Sequence, residues 1–405
     1  MVQRHRPAND THRSTPVLLN SICGSGKSNS LIHCTVLLTP RQALTFVPPS
    51  TSPTAPSANY VGANNGTLPI SPIVPGRSFD RFIQIWLENT DFATASAAPV
   101  FKSLASQGIL LNKSFALTHP SEPNYVASVG GDYWGMASDN MFNIPSNIAT
   151  IVDVLDTKSI SWASYSENMP TDNFGGFNFA STNYVSGTGT YTYYVRKHNP
   201  LVIYDSVATN PSRATRIRNF NDFAADINAN AIPQWVFVTP NMVNDAHDTD
   251  VTYSSAWLNY WLVPLLSNPN FNNDRTLILL TFDENSSSGV NNQIWSVLLG
   301  GAVPAALRGT TDSTFYTHYS SLSTVQANWA LGSLGRFDTN KTLANVYSPV
   351  AAAVGYTNQV VNPIPILNKS GTEPGPLNPN PALVTPYPPP DTSAVGAGGG
   401  PVIVL

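Results

Sequence analysis

Three observations predict an α/β fold with a mostly parallel central sheet and helices on both faces. Between roughly residues 57 and 350, short apolar runs alternate with amphipathic stretches, the rhythm of a sheet layered with helices. The 405 residues are 42% hydrophobic and 10% aromatic, enough to build a large core. Three of the apolar runs pass directly into polar clusters, at the carboxyl ends where open α/β sheets bind ligands.

Taken in order, Phe82–Leu87 reads as a buried strand, and Ala98–Gln107 as a helix closed by Gly108. Asn147–Leu155 reads as a helix, Ile160–Tyr165 as a strand, Phe220–Ile227 as a helix and Trp235–Val238 as a strand. Ala256–Leu266 is helical despite Pro264; Leu277–Phe282 and Ile294–Leu299 are strands, and Leu322–Leu331 is a helix. Ser121 opens a further helix through Val129, ended by Gly130-Gly131. Residues 1–56 have no sustained period and end in a Pro/Ser/Thr cluster, so they read as a leader or linker outside the fold. Residues 351–405 hold 11 prolines and a glycine run, and read as a tail. The catalytic domain is thus expected at 57–350.

The formal charge is −4, from 20 basic and 24 acidic residues, which argues against a nucleic-acid binder. Only 11% of residues are charged, against about 25% in an average soluble protein. N-x-[ST] sites at Asn65, Asn112, Asn285, Asn340 and Asn368 offer another source of hydration, so N-linked glycans and a secreted or cell-wall location are expected. No run approaches the ~18 apolar residues of a membrane span, so no membrane is expected. Residues 1–45 supply no signal-like apolar stretch, so either the protein is intracellular or the start of this sequence is not the native start, and the second reading is favoured. Cys23 and Cys34 build no disulfide framework. The Cys23–Ser28 run falls short of a phosphate-binding loop, because Ser21 replaces its first glycine and no strand leads in.

The polar clusters at the strand ends are Glu88-Asn89, Thr239-Pro240-Asn241 with Asp245-Ala246-His247-Asp248, and Asp283-Glu284. Any one carboxylate there has an ordinary explanation as a cap or solvated turn; three together point to a site. Glu88, Asn89, Asp283 and Glu284 are hard oxygen donors that suit a divalent metal ion of unknown identity. Four histidines, His119, His198, His247 and His318, have small or polar neighbours, and His119 and His247 each adjoin another candidate group. Ser121 has two readings. Its local sequence favours a helix N-cap, while the same geometry would also stabilise an ionised serine oxygen and a bound phosphate. Arg196 and Lys197 either hold a second substrate phosphate or lie at the surface. Tyr125, Tyr133, Trp134, Tyr165, Tyr193 and Tyr194 either wall a pocket or fill the core.

Seven segments carry a resemblance: Phe79–Phe92 around Leu87-Glu88-Asn89-Thr90, Thr118-His119-Pro120-Ser121-Glu122-Pro123-Asn124-Tyr125, Tyr194–Pro200, Thr239–Met242, Asp245–Asp248, Thr281–Glu284 and Tyr316–Ser320. In order, over roughly 60–350, they resemble the phosphoesterase family, and within it the secreted fungal acid phosphatases. The resemblance implies an alkaline-phosphatase-like fold and a phosphoryl-enzyme mechanism on phosphate monoesters. Ser121 falls on the family's nucleophile position, and Glu88, Asn89, Asp283 and Glu284 on its metal- or phosphate-holding positions, Ser121 joining the metal set. His119, Asn124, His247 and His318 form the expected phosphate-binding set. His247, Asp248 and His318 are expected to serve proton transfer with Ser121, with Asp248 orienting His247 or joining the metal shell.

An optimum between roughly pH 4 and 6.5 is expected, where a protonated histidine meets a monoanionic ester. Two rival functions stand beside this one. A phospholipase C-type phosphodiesterase would need a lipid-docking helix, which the sequence does not display. A non-catalytic cell-wall glycoprotein would leave the clustered carboxylates without a purpose.

Overall fold

The structure is a computed structural model that describes residues 17–21, 36–40, 45–287 and 291–405. Two strands near the start, β1 (Val17–Ser21) and β2 (Val36–Pro40), pair antiparallel and belong to a unit of their own. A strand therefore does precede the Cys23–Ser28 run, but in an antiparallel hairpin. The run itself and both cysteines lie outside the described residues.

Residues 46–405 form the second unit. Its main sheet contains β3 (Arg81–Leu87), β4 (Ile109–Phe115), β5 (Trp162–Ser166), β8 (Ile217–Asn219), β9 (Trp235–Thr239), β10 (Thr276–Phe282), β11 (Gln293–Leu299), β12 (Thr310–Asp312) and β13 (Tyr316–Thr317). A separate hairpin, β6 (Asn178–Thr182) and β7 (Thr190–Val195), lies between β5 and β8 in the chain. The sheet order is β12-β4-β11-β10-β3-β9-β5-β8, with β13 also on β4. All pairings are parallel except those of β11, which runs antiparallel to both β10 and β4. The expected mostly parallel α/β sheet is therefore present.

Every residue of β3 and β10 is buried, because the sheet is covered on both faces. Alternation divides their side chains between two cores. Phe82 and Trp86 pack on one side with the helices Ser121–Gly130 and Tyr319–Trp329, while Ile83, Ile85 and Leu87 pack on the other with Pro99–Gln107, Phe220–Asn228 and Val251–Leu265. At about 25 cal/mol per Å² of apolar surface buried, this double-sided burial holds the strand ends in register.

Several boundaries differ from the sequence reading for local reasons. The helix expected from Asn147 starts at Ile151, where Thr150 and Asp153 close a capping box. The helix expected from Ala256 starts at Val251, because the Asp250 side chain accepts the Thr252 and Tyr253 N–H groups. Ser121 is not a cap: Pro120 occupies the N-cap position and Ser121 is the first helical residue. Gly131, left-handed at φ 75°, ends that helix as its sequence suggested. Toward the C-terminus, Tyr387 packs edge-on against Trp134, the Leu377 N–H donates to the Trp134 carbonyl, and Val402 bridges to Ser333. Among the described residues, no helix is long and apolar enough to cross a membrane.

Candidate active site

β3 lies between β10 and β9, parallel to both, so three chain segments leave the sheet side by side. Leu87 is opposite Phe282, and the Asp283 N–H donates to the Leu87 carbonyl at 2.9 Å. On the other flank the Glu88 N–H donates to the Asp245 carbonyl at 2.8 Å. Glu88, Asp283 and Asp245 are buried together at this junction. Asn89, at φ 23°, turns the chain so that its Nδ2 donates to Glu284 Oε1 at 2.8 Å and its N–H to Asp283 Oδ1 at 3.3 Å.

The buried Ser121–Gly130 helix points its N-terminus at this cluster. Because Pro120 supplies the cap position, the Ser121 hydroxyl is free to face the carboxylates, at 3.1 Å from Glu88 Oε2 and 3.3 Å from Glu284 Oε1. The helix dipole at that end favours negative charge on the oxygen or on a bound anion. Asn124 is occupied elsewhere: its Oδ1 accepts the Leu117 and Thr118 N–H groups and its Nδ2 donates to the Thr118 and Pro120 carbonyls. It shapes the loop that presents Ser121.

The histidines separate by position. His119 Nδ1 is 2.6 Å from Glu284 Oε2, and its Nε2 is 3.1 Å from Asn285 Oδ1. His247 Nδ1 meets Asp248 Oδ1 at 2.7 Å, and the Tyr191 hydroxyl of the β6–β7 hairpin donates to the other oxygen of Asp248. Asp248 thus lies behind His247. His318 is buried against Trp86, with Nε2 2.6 Å from the Asp283 backbone carbonyl; it braces the strand end and contacts neither Ser121 nor its carboxylate partners.

Four contributors lie outside the catalytic, phosphate-binding and metal-holding sets expected from the sequence. Following β7, the Arg196–His198 turn brings in His198 and Lys197. His198 lies with Nε2 3.1 Å from Glu88 Oε1 and stacks on Tyr125, whose hydroxyl donates to the same carboxylate at 2.5 Å. Lys197 Nζ is 3.0 Å from Asp139 Oδ2, 3.3 Å from His247 Nε2 and 3.4 Å from Ser121 Oγ. An ammonium has only donors, so His247 Nε2 accepts and its Nδ1 carries the hydrogen toward Asp248. Asp245 and Asp139 complete the group. Lys197, His198 and Asp245 belonged to segments already recognised; Asp139, in an irregular loop, gave no signal.

Burial dominates the electrostatics. It raises Glu88 well above the ordinary carboxylate range, with Asp283 adding to the effect; it raises Asp283, with Glu284 adding, and Asp245, with Glu88 adding. Burial also lowers His247, with Lys197 assisting and Asp248 opposing, and it lowers His198 strongly. His318 is pushed down to about 4. For His119 burial is outweighed by the Glu284 contact, which holds its pKa above the usual histidine value. For Lys197, likewise, Asp139 and Glu88 outweigh burial and keep the ammonium charged. Crowded carboxylates of this kind favour an added positive charge.

A hard divalent cation fits the donor chemistry. Asn89 Oδ1 and Asp283 Oδ2 are buried oxygens without a hydrogen-bond partner, and Asn89 meets both Glu284 and Asp283 through its nitrogens. As placed, the acidic side chains bond to neighbouring groups; among the described residues no three His, Cys, Asp or Glu side chains surround a common centre.

A solved structure of a protein in the alkaline phosphatase superfamily from Vibrio parahaemolyticus is 11% identical, with 68% of this chain and 72% of that chain covered at TM-score 0.40. An acid phosphatase of Aspergillus fumigatus is 51% identical over 313 residues, 76% of this chain and 68% of that protein. A phosphate-repressible acid phosphatase of Penicillium chrysogenum is 46% identical over 332 residues, 81% of this chain and 77% of that protein. The match to the phosphoesterase family spans residues 80–332, from the first residue before β3 to beyond the Tyr319–Trp329 helix, and encloses every site residue described above; the chain belongs to the phosphoesterase family.

Proposed function

We propose that this protein is an acid phosphatase that hydrolyses phosphate monoesters through a phosphoserine at Ser121. The observation that carries the reading is the Ser121 hydroxyl, freed from capping, within 3.4 Å of Glu88, Glu284 and Lys197 at a helix N-terminus. The relatives named acid phosphatase support the activity, since they align over most of the chain.

In the first step Ser121 Oγ attacks phosphorus as its proton passes to Glu88 Oε2, the nearer carboxylate oxygen, which the Lys197 ammonium and the charge of a bound cation would hold ionised against its burial. The Oγ–P bond forms and the ester P–O bond breaks. His247, protonated in acid and oriented by Asp248, gives its Nε2 proton to the leaving oxygen. In the second step water attacks the phosphoserine, losing a proton to His247, and Glu88 returns the proton to Ser121 Oγ as orthophosphate departs. His119 supports the phosphoryl oxygens from the Glu284 side. A divalent cation held by Glu88, Asn89, Asp283, Glu284 and Ser121 would supply charge to depress the serine's pKa and neutralise the transferring oxygens.

The low charge content and the sequons support a secreted glycoprotein. Asn285 is set apart from the other sequons because it is buried against His119. Acid quenching during turnover of radiolabelled p-nitrophenyl phosphate tests the intermediate. Label bound covalently to the wild type and absent from S121A supports it; a steady-state wild type carrying no label, with S121A still active, overturns it. Parallel assays on bis-p-nitrophenyl phosphate separate a monoesterase from a diesterase.

A further inference from the structure

The geometry points to Lys197 as a catalytic residue: its ammonium binds a non-bridging oxygen of the phosphoryl group being transferred to Ser121. This rests on the reading of Ser121 as nucleophile, and it assigns a role to a side chain that the sequence left open between a second phosphate site and the surface.

The three residues of the turn after β7 have different tasks. Arg196 faces inward, donating to the Phe142 and Val202 carbonyls and to Asn143 Oδ1, so it holds the turn and is closed to substrate. His198 is buried against Glu88 and Asp245. Lys197 is directed at the nucleophile. Its Asp139 contact, at 3.0 Å, is a good charge-assisted bond, and Asp139 is itself anchored by the Glu122 N–H at 2.9 Å. The other two contacts, to His247 Nε2 and Ser121 Oγ, are long and neutral. A phosphoryl oxygen is a stronger acceptor than either.

Attack by Ser121 Oγ places the phosphorus within bonding distance of that oxygen, and Lys197 Nζ is already beside it. An oxygen of the phosphoryl group would take over the donors now spent on Ser121 and His247. That exchange has a second effect: His247 Nε2 is released from the ammonium and becomes available to carry the proton for the leaving group. Lys197 thereby couples arrival of the phosphate to readiness of the acid.

The test uses the full chain with K197M, K197Q and D139N, each checked for folding by thermal denaturation. K197Q keeps a hydrogen-bonding side chain without the charge, and serves if K197M does not fold. Steady-state kinetics with p-nitrophenyl phosphate and inhibition by inorganic phosphate are read at pH 5. Loss of the ammonium is expected to lower kcat/KM by about 100-fold or more, the scale of one lost oxyanion donor, and to weaken inhibition by phosphate at least tenfold. D139N, which keeps the ammonium and loses its anchor, is expected to show a distinctly smaller loss. Phosphate inhibition within threefold of the wild type in K197M or K197Q would overturn the proposal, as would a D139N loss equal to theirs, which would reduce Lys197 to one half of an ion pair. Calorimetric titration of phosphate into S121A and S121A/K197M keeps the two readings apart. An active S121A sinks the nucleophile alone, while equal phosphate affinity in the single and double variants sinks the role of Lys197 alone.

Discussion

Glu88 and Asp283 leave adjacent parallel strands at the same level, joined by the hydrogen bond from the Asp283 N–H to the Leu87 carbonyl. Two carboxylates far apart in sequence are thereby fixed side by side by backbone pairing, and Ser121 is brought to them by a separate helix.

Replacing Glu88 by glutamine should lower kcat by 10²- to 10⁴-fold, because the proton acceptor for Ser121 is lost. The fold should survive, since an amide fills the same space between Tyr125, His198 and Ser121 and relieves a buried charge. Kinetics together with thermal denaturation would check both halves; a kcat within fivefold of the wild type would reassign the base.

His247 gives a signed pH prediction. Burial and Lys197 lower its pKa, and Asp248 partly restores it. Protonated His247 is the active form, so activity falls as pH rises through that pKa. D248N removes the restoring charge, and the alkaline limb of the kcat/KM profile should therefore move to lower pH. A limb that stays in place would separate His247 from proton transfer.

Much of this site was legible because parallel strands buried on both faces leave uninterrupted apolar runs, and the polar residues after Leu87, Thr239 and Phe282 are conspicuous against so few charges. Side-chain direction was not legible. His318 occupies an expected motif yet turns inward to the Asp283 carbonyl, and Asn124 spends its amide on the preceding loop. Lys197 was ambiguous because its turn follows a small hairpin outside the main sheet, and alternation along β6 and β7 says nothing about where that turn lands. The capping reading of Ser121 failed because a proline, which has no side-chain acceptor, took the cap position. The acidic optimum expected from charged histidines depends on His247 and His119, since burial pushes His318 down to about 4.

Glu167 makes the fold itself acid-favouring. It is buried and accepts the Asn241 N–H and the Asn244 Nδ2 group; burial pushes its pKa from 4.5 up to about 7. The folded state therefore holds a proton that the unfolded chain releases. This contribution is complete below about pH 4.5 and is lost as pH rises through 7, by up to roughly 3 kcal/mol. E167Q should remove that slope, with the Asn244 amide turning over so that its otherwise partnerless Oδ1 accepts the new amide N–H. Urea denaturation at pH 5 and 7.5 decides it: an unchanged difference between the two pH values in E167Q refutes the assignment.

Removal of divalent cations should lower kcat, and Mg²⁺, Mn²⁺ or Ca²⁺ should restore it. D283N should reduce the bound metal measured by plasma mass spectrometry after gel filtration. Full activity after exhaustive chelation, with no metal detected, would leave the positive charge to Lys197 and His119.

The β6–β7 hairpin touches the chemistry through Tyr191 on β7 and through the turn that follows the same strand, whereas Ser186 and Thr188 at its tip bond locally to Asn183 and to each other. Its outer end is thus a place where evolution, or an engineer, can lengthen and reshape the chain without disturbing the hydrolytic machinery.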